Sequence, residues 1–397
     1  PVWKFESKGI EETVPLDIVS IPGGPLVTVI ADYDGFRHDD ISKYPEHRHL
    51  TTLPGKTMSI GSTWSMAYAH KSGKLVKMCA ARTVDLASQS SYKQITTISP
   101  LQFSADSGKT WTGDALYGGP TDPEIKEGTV AISTDGSVSL WVPASGAKSP
   151  YRYESSNWTE VSGLNAGGDV FAVGDPENAD VFYAFERTTG VFYKSSDKGK
   201  SFAKLSEPGV SYDKKFRAIP GFEGDLWLPV AERDEIGNPK GGALKHSTDG
   251  GKTWANVPGI GYCEAVGYGI SKTGAGYPAI YAYGVVGDVL GVFVSDDKGE
   301  TWTRVNDDGH EYGGLANGEF VMGDMNTYGV VYMSTAGRGI AARVPDSWKM
   351  GSTSSGGATG EIKITPEDSL TLNGAVAQKK PSYASVAYVH GNLDITL

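Results

Sequence analysis

Ser104-Ala-Asp106-Ser-Gly108-Lys-Thr110-Trp111 is an eight-residue phrase that returns three more times along the chain. It recurs as Ser195-Ser-Asp197-Lys-Gly199-Lys-Ser201-Phe202, then Ser247-Thr-Asp249-Gly-Gly251-Lys-Thr253-Trp254, then Ser295-Asp-Asp297-Lys-Gly299-Glu-Thr301-Trp302. Each copy has the chemistry of a hairpin turn. The Ser and Asp side chains bond nearby backbone N–H groups, and the Gly supplies a positive φ. The Thr/Ser-aromatic pair then opens a return strand with a ring to bury. Apolar strands lead in, as at Leu101 to Phe103 and Gly291 to Val294. The starts are 91, 52 and 48 residues apart. A looser copy at Tyr153-Glu-Ser-Ser-Asn157-Trp158-Thr159 restores a period of about 50 across the first gap. The Gly-Lys-Thr/Ser ends also resemble a phosphate-binding loop, but that loop needs a Gly five residues earlier, where this chain has Phe103, Lys194 and His246.

The phrase matches the Asp-box (BNR-like repeat) of β-propellers. At roughly 45 to 50 residues per four-stranded blade, residues 1–345 are expected to form an all-β, seven-bladed propeller. Short strand-like runs fill the intervals: Leu26 to Ile30, Val170 to Val173, Val181 to Phe185, Leu226 to Val230, Ile280 to Tyr283 and Val330 to Met333. With 52 Gly and 21 Pro in 397 residues, a helical bundle is excluded. A chain 39% hydrophobic and 10% aromatic has a core to bury, so disorder is excluded too. Residues 346–360 read as a Gly/Ser linker, and 361–397 as a partial appended β segment.

The formal net charge is −11, from 36 basic and 47 acidic residues, without a basic run to neutralise phosphates. Nucleic acid is therefore not the expected partner, and no apolar stretch has the length of a membrane span. Cys79 and Cys263 supply neither a disulfide framework nor a CxxC pair. The densest polar stretch is Ile30-Ala-Asp32-Tyr33-Asp34-Gly35-Phe36-Arg37-His38-Asp39-Asp40, with His47 and His49 beyond it. Its histidine and aspartate spacing fits no common metal pattern, so neither metal nor cofactor is expected. The residues alone leave two readings open. One is an acidic turn. The other is a carboxylate at a strand end, placed for general acid catalysis.

Gly9-Ile10-Glu11-Glu12-Thr13, the Ile30 to Asp40 stretch, Val305-Asn306-Asp307 with His310 and Tyr312, and Thr335-Ala-Gly-Arg338-Gly-Ile340 occur in that order. Together they resemble glycoside hydrolase family 74, the xyloglucanases, and in particular the carboxy-terminal one of that family's two seven-bladed propellers. The resemblance implies a secreted enzyme that hydrolyses a β-1,4-glucan backbone with inversion, using one Asp from each propeller. It places the general acid on Asp32, with Ala31 where the family usually has Gly. Tyr33, Asp34, Phe36, Arg37 and His38 become the expected substrate contacts. Xyloglucan and the family's amino-terminal propeller, which supplies the general base, become the expected partners. A non-catalytic glycan-binding or scaffolding propeller is the alternative. A sialidase would require an arginine cluster that the sequence does not display.

Overall fold

The computed structural model describes residues 13–31, 34–41, 43, 45, 49, 51–53, 56–60, 63–79, 83–85, 101–112, 120, 125, 127–308, 319–335 and 339–344, and short strands at 371–372, 375–376 and 386–389. The protein is a seven-bladed β-propeller, and no helix occurs among the described residues. The blades occupy 15–38, 63–112, 129–160, 170–206, 217–256, 260–304 and 321–343.

Sequence dictates this arrangement strand by strand. The middle strands of a blade are covered on both faces by neighbouring blades, so they read as continuous apolar runs rather than alternating ones. Leu26–Ile30 is buried at every position, as is Val138–Val142. Fourth strands lie at the rim and are polar, as in Ala203–Ser206. The innermost strands adjoin one another in turn around the ring, and Pro15–Ser20 lies beside both Thr63–Tyr68 and Val321–Gly323. They line an axial cavity flanked by Asp17, Ser20, Met66, His70, Arg217 and Tyr268.

The four repeated phrases join the third and fourth strands of blades two, four, five and six. Their geometry is uniform. In the last, Ser295 Oγ donates to Asp297 Oδ1 at 2.8 Å, and the Gly299 N–H donates to Ser295 Oγ at 2.8 Å. The Thr301 N–H and hydroxyl donate to the two oxygens of Asp297 at 2.9 and 2.6 Å. Gly251 shows why the glycine is required: its φ is +84°, and a Cβ there would lie 2.4 Å from the Phe192 ring. The segment at 153–159 occupies the same place in blade three but is built differently. It is a tight hairpin through Ser155 and Ser156 (φ +50° and +65°), joining Tyr151–Glu154 to Asn157–Glu160.

First and last blades meet through side chains. Asp324 accepts from the Ser20 hydroxyl at 3.1 Å, and Asn326 Nδ2 donates to the Ile21 and Gly24 carbonyls at 3.1 and 3.2 Å. The outer strand of blade seven, Ile340–Arg343, pairs in parallel with Val386–Val389. The 346–360 linker lies outside the described residues.

Candidate active-site face

Strands within each blade are antiparallel neighbours in order, so turns between second and third strands share one face with the approaches to each first strand. The repeated phrases lie on the opposite face. Ala31 and Asp34, at the adjoining ends of Leu26–Ile30 and Gly35–His38, are therefore on the face away from the repeats. Loops on a rigid scaffold are where chemistry concentrates. These adjoining ends are pinned. The Ala31 N–H donates to the Val14 carbonyl at 2.9 Å, and the His49 N–H to the Gly35 carbonyl at 2.8 Å. Gly35 has φ +152°, and a Cβ there would sit 2.1 Å from the Thr28 carbonyl oxygen, which excludes any side chain. Asp32 and Tyr33, which follow Ala31 in the sequence, lie outside the described residues, as do Gly9 to Glu12, His310, Tyr312 and Ala336 to Arg338.

Asp34, two residues on, turns inward and has no exposed surface. Lys77 Nζ stands 2.6 Å from each of its carboxylate oxygens, and the Thr63 hydroxyl donates to Oδ1 at 2.7 Å. Lys77 is itself fully buried, with its ammonium 4.3 Å from the centre of the Trp111 ring. The His49 ring packs against the same indole at 5.0 Å, with Nδ1 3.9 Å from Asp34. His38 is buried beside Thr28, its Nε2 3.3 Å from that hydroxyl, and burial pushes it down to about 4. Burial, with the Lys77 charge second, holds His49 well below the usual histidine range.

Sequence reasoning grouped Asp34, Phe36, Arg37 and His38 as substrate contacts, and the structure separates them. Asp34, Phe36 and His38 are all buried, so their side chains face protein rather than solvent. Arg37 bonds the Ser107 carbonyl at 3.2 Å and Asp39 at 2.5 Å, on the side of the first repeated phrase. Thr63 and Lys77 were not anticipated as partners of Asp34. The available signal was Lys77 itself, a lysine in the middle of the apolar strand Leu75–Cys79.

The same face carries a second constellation, missed in the sequence, on the loop leading into blade five. Ser211-Tyr212-Asp213-Lys214-Lys215 holds it. Lys215 reaches across the ring, its Nζ 2.6 Å from the Leu16 carbonyl of blade one and 3.1 Å from Glu319 beside blade seven. That ammonium holds the Glu319 carboxyl below its usual range. Burial, and then the Glu319 charge, raise Asp213 to about 7. Burial, then the neighbouring Lys215, lower Lys214 to about 8. Arg233 pairs with the buried Glu264, and its guanidinium lies 3.7 Å above the Tyr212 ring. Among the described residues no group of three or more acidic, histidine or cysteine side chains is arranged to hold a metal.

Comparison with known proteins bears on what such a face serves. No protein-family model matches the chain. A xyloglucanase from a Paenibacillus species is 33% identical over 339 residues, covering 84% of this chain and 30% of that protein. Xyloglucanase Xgh74A of Acetivibrio thermocellus is 32% identical over 348 residues, covering 87% of this chain and 37% of that protein. A solved family 74 enzyme from Niastella koreensis superposes with a TM-score of 0.68 at 36% identity, covering 84% of this chain and 43% of that one. The chain resembles glycoside hydrolase family 74. It spans about a third of the length of these two curated relatives. The family 74 resemblance thus extends over most of this chain and over less than half of each of the three proteins compared.

Proposed function

We propose that this propeller is the part of a xyloglucan-hydrolysing, inverting glycoside hydrolase that supplies the general acid, Asp32. In this reading the Asp32 carboxyl gives its proton to the glycosidic oxygen as the bond to the anomeric carbon breaks. A water attacks from the opposite side and loses its proton to a general base. Inverting carboxyl pairs stand about 6.5–9.5 Å apart to admit that water. The base, an Asp of a second propeller, is assigned outside this chain. The observation that carries the reading is the likeness to xyloglucanases over 84–87% of this chain but 30–37% of theirs.

Site roles divide by burial. Tyr33, beside Asp32 in the turn, is assigned to sugar contact. Asp34, Phe36 and His38, with their side chains inside the protein, are assigned to holding the turn in place. Arg37, bonded to Ser107 and Asp39, is assigned to tying blade one to blade two.

The experiment is reducing-sugar release from xyloglucan by the isolated chain and by the chain mixed with an amino-terminal propeller from a relative. Turnover is expected only from the mixture, and Asp32→Asn abolishes it. Robust hydrolysis by the isolated chain would overturn the division of the acid and base between two propellers.

A further inference from the structure

Five large hydrophobic residues are exposed among the described residues: Val14, Val210, Tyr212, Ile236 and Val289. All five lie on one face. Val14 precedes the first strand of blade one, and Val210 and Tyr212 precede that of blade five. Ile236 and Val289 lie at turns between second and third strands. This is the face of Ala31 and Asp34; the face of the repeated phrases has none of the five.

Tyr212 is the best-held of the five. Half of it is exposed (49%), yet its backbone is fixed on both sides. Its N–H donates to the Ala231 carbonyl at 2.7 Å, and its own carbonyl accepts from Arg187 Nη1 at 2.7 Å. Ser211 beside it donates to the Pro229 carbonyl and accepts from the Ala231 N–H at 3.0 Å. Arg233 lies against the ring, anchored by the buried Glu264 and by the Tyr262 hydroxyl. Arg187, 5.9 Å from the ring centre, is paired with Asp169 at 2.6 Å, and both are partly exposed.

We propose that Tyr212 is a stacking platform for one pyranose ring of a neutral β-glucan, with Arg187 and Asp169 bonding its hydroxyls. An aromatic ring covers the apolar C–H face of a pyranose while its edge stays wet. A ring already immobilised loses little entropy on binding. Both arginines beside the ring are balanced by carboxylates, Arg233 by Glu264 and Arg187 by Asp169, so neither offers an unpaired charge to an anion. The paired guanidinium and carboxylate beside the ring offer donors and acceptors to sugar hydroxyls, which a dry protein interface would leave unpaired. The ligand class rests on the function proposed above, and the site extends it to blade five.

The test is calorimetric titration of the isolated chain with xyloglucan heptasaccharide and with cellotetraose. Wild-type chain is expected to bind. Tyr212→Ala should weaken binding at least tenfold with an unchanged thermal midpoint, and Tyr212→Trp should retain it. Equal binding by wild type and Tyr212→Ala overturns the platform, as does a wild-type chain that binds neither oligosaccharide at millimolar concentration. Self-association in sedimentation that Tyr212→Ala abolishes, without oligosaccharide binding, overturns it in favour of a protein contact. The function proposed above fails separately, if oligosaccharides bind but no assembly with an amino-terminal propeller hydrolyses xyloglucan.

Discussion

Lys77 places its ammonium 2.6 Å from both carboxylate oxygens of Asp34, and neither side chain has any exposed surface. The pair spans two blades, since Asp34 leaves the turn of blade one and Lys77 stands on the second strand of blade two. Desolvating two charges is costly, and their attraction offsets that only while both are present. Lys77→Met and Asp34→Leu are each expected to destabilise the protein by about 3–5 kcal/mol. The double variant Asp34→Leu with Lys77→Met should lose less than the sum of the two single changes. Urea denaturation of all three measures this; strict additivity would show that the pair is not coupled.

Acid should weaken the fold through its buried histidines. His38 and His70 are each pushed from 6.5 to about 4 by burial, and His49 is pushed down as well. Each is neutral in the folded protein but takes up a proton when unfolded. Their contribution is complete above pH 6.5 and is lost as the pH falls toward 4. For His38 and for His70 the full loss is on the order of 3 kcal/mol. Asp213 acts in the opposite sense, because a carboxyl raised to about 7 favours the folded state as the pH falls below that value. Three groups oppose one, so the urea midpoint should fall between pH 7 and pH 5, and His70→Phe should flatten the fall. A flat profile for the wild type would contradict the burial of these imidazoles.

Two glycines with the same φ of +84° separate backbone strain from crowding. A Cβ at Gly221 meets nothing within 4 Å, whereas one at Gly251 falls 2.4 Å from the Phe192 ring. Gly221→Ala is expected to cost about 1 kcal/mol, the ordinary penalty of the left-handed region. Gly251→Ala should cost at least about 2 kcal/mol more, because a packed aromatic must move. Thermal midpoints of the two variants give the comparison, and equal shifts would refute it.

The repeat aspartates are equivalent but distant. Asp197 and Asp297 each accept from a Ser hydroxyl, a backbone N–H and a Ser or Thr hydroxyl four residues on. Asp197→Ala and Asp297→Ala should each cost roughly 1–2 kcal/mol. The double variant should be additive to within about 0.5 kcal/mol, as expected of sites without shared partners. A marked departure from additivity in equilibrium denaturation would mean that the turns communicate around the ring.

Much of this fold was legible because it is written locally. The repeated phrase carries its own hydrogen-bond plan within eight residues, and Leu26 to Ile30 was bounded correctly from its apolar run alone. The turn of blade three was harder to read. Ser155 and Ser156 make a hairpin with positive φ rather than with an aspartate. The partners of Asp34 were out of reach for a different reason. Thr63 and Lys77 lie 29 and 43 residues away, and only the stacking of one blade on the next brings them together. Tyr212 gave no local sign either. An aromatic in a charged loop looks like core until the fold leaves it half exposed.

The seam between Ser20 and Asp324 alters how the molecule can come apart. In an open stack of repeats, the terminal unit lacks one neighbour and frays first. Here the first and seventh blades stand against each other, so every blade has two neighbours and none is terminal. The protein accordingly has no privileged place to begin unravelling. Cutting the chain in any exposed turn while joining 13–38 to 319–344 would leave the same circle of contacts, with the break moved elsewhere.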